Sequence, residues 1–384
     1  MCIRDSLRRI RTMKKKVLAV LLGGCMVAGL LAGCGGGGDD AKTSDDGSKD
    51  SGKSGGYNFE VVVKSFQSTY WQAAKQGIDT ASKELGVKCN TTGPNAESDI
   101  ADQVNMLNNA INKAPDGIAL AACDQSSVLK SLQTALDKKI PVVCFDTGVA
   151  DAPEGSVYAT VVTNNGAAGA IAADKIYEAV KDKIANAKEP VRVGEVNQDA
   201  TSANITERGL GFINRFIELA EADGKKCAVV GNDYYKNLVE GTVAEGEADI
   251  IIEVAVPAQT TVELCSTEAA NIMNKEDTIA IFGSNQVSAE GVLTANNNLN
   301  VLGSDPEKNI IAAGFDAGSV IKAAVKDGTL LGAVTQSPLM QGKISIETLY
   351  KICEGEEVSD VETDGYWYDS TNMEDPEISP NLYD

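Results

Sequence analysis

Pro141-Val142-Val143-Cys144-Phe145-Asp146-Thr147 opens on a proline, runs through four apolar residues and stops at a carboxylate. A short apolar run rich in β-branched residues reads as a strand buried on both faces, as in a parallel sheet. Asp146 then stands at the strand's carboxyl end, where open α/β sheets hold their ligands. The same pattern returns in Ile310-Ile311-Ala312-Ala313-Gly314-Phe315-Asp316. Two strands that each end in Phe-Asp predict two related halves facing one site.

Working outward, strand-like apolar runs alternate with amphipathic helical segments from Tyr57 onward, which predicts βαβ units and parallel sheets. A first strand over residues 59–64 empties into Ser65-Phe66-Gln67-Ser68-Thr69-Tyr70-Trp71. A helix then runs to Leu85, with Gly86 as its stop signal. Tyr70 and Trp71 allow two readings at this junction, plain core or a platform for the C–H face of a sugar. Further strands are expected at 87–90, 117–122 and 141–145, with a helix over 98–112. Asp124 is expected to cap the helix that ends at Lys138.

The second half repeats the scheme. A strand over 191–196 leads through a loop at 198–209 into a helix carrying Phe212, Ile213, Phe216 and Leu219. Arg208 falls about one turn into that helix. It either points at a cleft or pairs on the surface with Glu207 or Asp199. Residues 226–246 are harder to place; Val229-Val230 is strand-like and Asp233-Tyr234-Tyr235 reads as loop. Strands at 250–256, 278–282, 309–314 and 330–334 alternate with helices, and residues 365–368 form a short β-like return.

Composition narrows the chemistry. The 384-residue chain has room for two domains, and its 43% apolar residues suffice for real cores. The formal charge of −21 makes nucleic acid and anionic membrane surfaces poor partners. There is no histidine. That removes Ser-His-Asp and Cys-His catalysis and HExxH zinc sites together. Carboxylate or lysine chemistry survives, so an enzyme is disfavoured but not excluded by this argument.

Lys14-Lys15-Lys16 precedes an apolar stretch to Leu31, a basic region and an apolar region too short and glycine-interrupted for a permanent span. It ends in Leu31-Ala32-Gly33-Cys34, which resembles the bacterial lipobox, where the cysteine is acylated and becomes the mature N-terminus. Residues 1–33 are thus expected to be a signal peptide, with Met13 the more natural start. Residues 34–56 are expected to be a lipidated tether, since from Gly35 they contain only Gly, Ser, Thr, Asp, Lys and one Ala. Such a segment cannot bury enough surface to fold, and random-coil scaling gives it a typical span of roughly 25 Å. The six cysteines of the body form no CxxC pair, so no metal ribbon or redox motif is expected. Most lie in apolar runs and read as small core residues. Six thiols outside the cytoplasm point to an anaerobic source, with hidden disulfides the alternative.

From about Asn58 to Val361 the chain resembles the sugar-binding proteins of ABC transporters, of the ribose- and galactose-binding type. The matching stretches are Gly77 with Glu84-Leu85-Gly86-Val87, Ile140-Pro141-Val142-Val143 leading to Asp146, and Thr201-Ser202-Ala203 leading to Arg208-Gly209. Asn285, Gly314-Phe315-Asp316, Asp327-Gly328-Thr329-Leu330 and Thr335-Gln336 follow in the family's order. The resemblance implies an α/β fold of two similar Rossmann-like lobes with parallel sheets, joined by a three-segment hinge. Lobe one would comprise residues 57–163 with 337–364, and lobe two residues 164–336 with 365–384.

The resemblance also implies ligand contacts from Ser68, Tyr70, Trp71, Asp146, Arg208, Asn285, Asp316 and Gln336, with Gln67 and Thr147 in the same loops. This chain departs from the family at Gln67-Ser68-Thr69-Tyr70-Trp71, where ribose binders carry Asn-Asn-Pro-Phe-Phe. It departs again at Thr147, where many carry arginine, and near Thr260, where the second-lobe aromatic is replaced. About twenty extra residues sit between Lys225 and Glu253. The Thr147 departure leaves Asp146 dependent on Arg208 as its partner.

The expected role is a monomeric, lipid-anchored solute-binding protein on the outer face of the bacterial cytoplasmic membrane. It would deliver a sugar or related polyol to the permease subunits of an ABC importer, without catalytic residues, metal or cofactor. The alternatives are a sugar sensor for a membrane kinase or chemoreceptor, and a binder of a non-sugar polar solute. A DNA-binding regulator of the same fold would need a basic helix-turn-helix where this chain has a leader and an acidic tether.

Overall fold

The computed structural model describes residues 56–383; the expected leader, Cys34, the tether up to residue 55 and Asp384 lie outside them. In one sheet β1 (Asn58–Val62) lies between β2 (Lys88–Thr92) and β3 (Gly117–Leu120), followed by β4 (Val142–Phe145) and β5 (Val157–Thr163), all parallel. In the other, β6 (Val191–Val196) lies between β8 (Ile250–Ala255) and β9 (Thr278–Gly283), followed by β10 (Ile311–Phe315) and β11 (Gly332–Thr335), again all parallel. The two five-strand orders are thus equivalent, 2-1-3-4-5 and 8-6-9-10-11. Edge strands complete them: β12 (Val361–Thr363) pairs with β5, β13 (Tyr366–Tyr368) runs antiparallel to β11, and β7 (Cys227–Gly231) pairs with β8.

The helices are α1 (Thr69–Leu85), α2 (Ile100–Asn112), α3 (Leu129–Asp137), α4 (Asn165–Asn186), α5 (Ala203–Ala222), α6 (Asp233–Leu238), α7 (Val262–Met273), α8 (Gln286–Leu299), α9 (Ser319–Asp327) and α10 (Pro338–Cys353). They cover both faces of each sheet, so the central strands are buried throughout; β3, β4, β6, β9, β10 and β11 expose nothing. This is why their sequences read as continuous apolar runs and not as alternating ones.

Two helices change sides. α4 follows β5 of the first sheet but packs on α5 of the second lobe, and α10 follows β11 of the second sheet but packs on α1 of the first. Each contact is closed by reciprocal glycines. A Cβ at Gly77 would stand 1.8 Å from the Leu339 carbonyl, and one at Gly342 2.2 Å from that of Ala74. In the second lobe a Cβ at Gly169 would stand 2.1 Å from the Arg208 carbonyl, and one at Gly211 2.2 Å from that of Gly166. The third passage between sheets is the short turn from β12 to β13.

Two local expectations are corrected. Asp124 does not begin a helix: its carboxylate accepts from Ser126 Oγ at 2.8 Å and Ser127 N at 2.7 Å, forming a turn, and α3 starts only at Leu129. Asp233-Tyr234-Tyr235 is not loop but the first turn of α6, capped by Asn232, whose Oδ1 accepts from Tyr234 N. The extra segment therefore supplies β7 and α6, and its buried Tyr235 joins the second lobe's core. Cys123, Cys144, Cys227 and Cys265 are buried, and burial pushes the last three thiols up to about 12. They behave as small apolar residues.

Candidate functional site

Phe145-Asp146 and Phe315-Asp316 end equivalent strands and share an unusual backbone. Both aspartates adopt left-handed φ, +62° and +73°. Each amide donates to the neighbouring strand, Asp146 N to the Val161 carbonyl at 2.9 Å and Asp316 N to that of Val334 at 2.7 Å. That kink turns both side chains off the sheet ends into one shared cavity between the lobes. Non-glycine residues pay strain at such φ, and it persists only where surrounding bonds over-determine it.

Asp146 is 3% exposed and fully engaged. It accepts from Tyr70 OH at 2.6 Å and Asn204 Nδ2 at 3.1 Å, and it pairs with Lys64 Nζ at 3.0 Å. Lys64, at the carboxyl end of β1, is thus the cation of this carboxylate. The expected Asp146–Arg208 pairing is corrected. Arg208 projects from the first turns of α5 onto the Phe315 ring, 3.5 Å from its centroid, and donates to the Ser284 carbonyl and Asn165 Oδ1. A guanidinium held flat on an aromatic and anchored at both Nη atoms cannot swing to the other lobe.

The electrostatics follow from burial. Desolvation pulls the Lys64 ammonium down, but the carboxylates of Asp146, Glu97 and Asp199 outweigh it and its pKa ends above the usual lysine value. Desolvation lowers Arg208, against the opposing pull of Asp316 and Asp146. Asp316 is raised by burial, which Arg208 and bonds from Gln336 and Gln286 partly offset. Glu97 is likewise raised by burial against the pull of Lys64.

Most of the sequence-predicted set meets here: Ser68, Tyr70, Trp71, Asp146, Arg208, Asn285, Asp316 and Gln336 line the one cavity. Two do not. Gln67 is exposed, because its backbone N–H is tied back to Ser65 Oγ, and it faces a neighbouring recess beside Thr260. Thr147 is fully buried and takes the Asn204 N–H at 3.3 Å, on the seam's other side. The core reading of Tyr70 and Trp71 holds, and both residues also line the cavity. The second lobe presents Ile205 and Val287 there, with no aromatic.

Sequence reasoning missed Lys64, Glu97, Gln198, Asn204 and Gln286. Glu97 accepts from Trp71 Nε1 at 2.7 Å and from Gln198 Nε2 across the seam at 2.6 Å. Gln198 in turn accepts from Asn285, which also caps α8. Gln286 N donates to Asp316 Oδ2 at 2.9 Å. The rule that flagged Asp146, a polar residue at the carboxyl end of a parallel strand, finds Lys64 when applied to β1. The assembled cavity offers carboxylate acceptors, amide and cationic donors, and one aromatic side. That set suits a small neutral molecule with many hydroxyls. Among the described residues no cluster has the ligands for a metal ion.

A family model described as periplasmic binding protein domain matches residues 59–357. The D-allose-binding periplasmic protein of Escherichia coli is 24% identical over 296 residues, 76% of this chain and 83% of that protein. A Brachyspira murdochii structure described as an ABC transporter, LacI family transcriptional regulator is 32% identical at TM-score 0.70, covering 86% of this chain and 99% of that one. An Agrobacterium vitis ABC transporter solute-binding protein with bound D-fucose is 26% identical at TM-score 0.69, covering 85% of this chain and all of the other.

Proposed function

The chain belongs to the periplasmic binding protein family, and from that membership we propose that it is the solute-binding protein of an ABC importer for a sugar or related polyol. The observation that carries this is the pair of strand-end carboxylates, one per lobe, turned into one buried cavity with amide and cationic donors around them. Ligand hydroxyls donate to Asp146 and Asp316, while Arg208, Asn285 and Gln336 donate to ligand oxygens. Tyr70 and Trp71 cover an apolar face of the ring. Hydrogen bonds to ionised groups contribute about 1.5–3 kcal/mol each, so a few give micromolar binding. A ligand bridging both lobes favours the closed arrangement, which presents one surface to the permease.

The lipobox-like Leu31-Ala32-Gly33-Cys34 and the polar tether support a lipid anchor on the outer face of the membrane. Among the described residues no helix is long and apolar enough to cross a membrane. The relatives are binding proteins and not enzymes, and the site's chemistry gives no reason to add a reaction. Calorimetry against pentoses, hexoses and inositols, with D-allose and D-fucose included, tests the reading. Binding of at least one at micromolar affinity is expected. Silence across the whole panel sinks it.

A further inference from the structure

We propose that Gln341 and Thr163 form a hydrogen-bond relay through the interlobe connections, making the two site carboxylates respond to each other. The relay rests on the reading of the cleft as a ligand site. Neither residue lines the cavity.

From Asp316 to Asp146 each group stands within hydrogen-bond distance of the next. Gln336 Nε2 donates to Asp316 Oδ1 at 2.7 Å, and Thr163 Oγ1 donates to Gln336 Oε1 at 2.8 Å. Gln341 Nε2 donates to Thr163 Oγ1 at 2.7 Å. The Tyr70 hydroxyl stands 3.2 Å from Gln341 Oε1 and 2.6 Å from Asp146 Oδ1. Every member is buried, Gln341 at 0% and Thr163 at 1% exposure. Thr163 ends β5, Gln336 follows β11, and Gln341 also reaches Thr363 Oγ1, at the end of β12, at 3.4 Å. All three passages between the lobes therefore meet on this chain.

Proton counting gives it a direction. Thr163 has one hydroxyl proton, spent on Gln336, and one N–H of the Gln336 amide goes to Asp316, which leaves the other for the ligand. Donation thus runs from Gln341 toward Asp316, leaving Gln341 Oε1 as an acceptor whose donor is Tyr70. The phenol also has one proton, and the closer Asp146 takes it. A ligand hydroxyl that donates to Asp146 competes for that place and releases the phenol proton to Gln341. The buried acceptor is then satisfied, which counts for more in a low-dielectric interior than at the surface. Occupancy at Asp146 in lobe one so tightens the bonds that hold Asp316 and the connections in lobe two, and linkage makes the effect reciprocal.

A double-mutant cycle reads the relay. Wild type, Tyr70→Phe, Gln341→Leu and the double variant are titrated calorimetrically with a sugar that wild type binds. Gln341→Leu should lose about tenfold in affinity although it touches no ligand, and the double variant should lose no more than Tyr70→Phe alone. Wild-type affinity in Gln341→Leu, or losses that multiply, overturns the relay while leaving the sugar reading intact. Should Gln341→Leu fail to fold, Thr163→Val cuts the next bond and carries the same expectation. If wild type binds no sugar, that reading falls by itself. The relay is then judged on the ligand-free protein: amide exchange at residues 163–166 and 335–338 should rise in the variant, and unchanged exchange refutes it.

Discussion

At the residue scale, a carboxylate's partner is decided by which cation can reach it. Asp146 holds Lys64, Tyr70 and Asn204, while Arg208 is committed to Ser284, Asn165 and the Phe315 ring. Breaking a buried pair strands a charge, which costs about 3–5 kcal/mol of stability. Lys64→Met is therefore expected to lose both stability and ligand affinity as severely as Asp146→Asn, with affinity down about tenfold to a hundredfold if one charged bond is lost. Urea melts and calorimetry on both variants check this. A Lys64→Met protein with unaltered affinity would show that the ammonium only neutralises the carboxylate. The carboxylates were legible in the sequence because a polar residue after an apolar strand is a local pattern. Their partners were not, since Lys64 and Asp146 are 82 positions apart and nothing local couples them.

At the scale of elements, the strands and most helices were legible because burial on both faces leaves a continuous apolar signature. Asp124 and residues 233–235 misled, because capping residues and turn residues are the same types and only the following hydrogen bonds separate them. The helix contacts were invisible. Gly77 and Gly342 each lie inside a helix where a neighbouring backbone touches: α1 meets the Leu339 carbonyl, and α10 meets that of Ala74. With a backbone oxygen 1.8 Å from the new Cβ, Gly77→Ala must push α10 away. The expected loss lies at the upper end of the about 1–3 kcal/mol usual for overpacking. A lowered urea midpoint at unchanged slope is the readout. Gly86→Ala, exposed and without neighbours for a Cβ but at φ 66°, serves as the comparison in which only backbone strain acts.

At the scale of the whole molecule, each lobe borrows a helix across a strand of the other. α10 completes lobe one after β11 of lobe two, and α4 completes lobe two after β5 of lobe one. Neither lobe is a contiguous piece of chain, so melting one removes a helix that the other's final strand leads into. Despite its 328 described residues and four core clusters, the body is expected to unfold as one unit. Differential scanning calorimetry should give a single transition with equal calorimetric and van't Hoff enthalpies, and two resolved peaks would contradict the exchange of helices. The same connections carry the hydrogen-bond chain between Asp316 and Asp146, so one architecture serves stability and communication.

The sequence by itself determined the α/β class, the two equivalent halves and the pair of aspartates, because hydrophobic periodicity and strand-end position are properties of short stretches. Only the tertiary structure decided that Lys64 and not Arg208 partners Asp146, that Gln67 faces outward, and that Glu97, Gln198 and Asn204 join the site. It also decided that four glycines set the helix spacing. Those outcomes depend on distances between residues far apart in the chain, and such distances exist only once both sheets, with their exchanged helices, are packed.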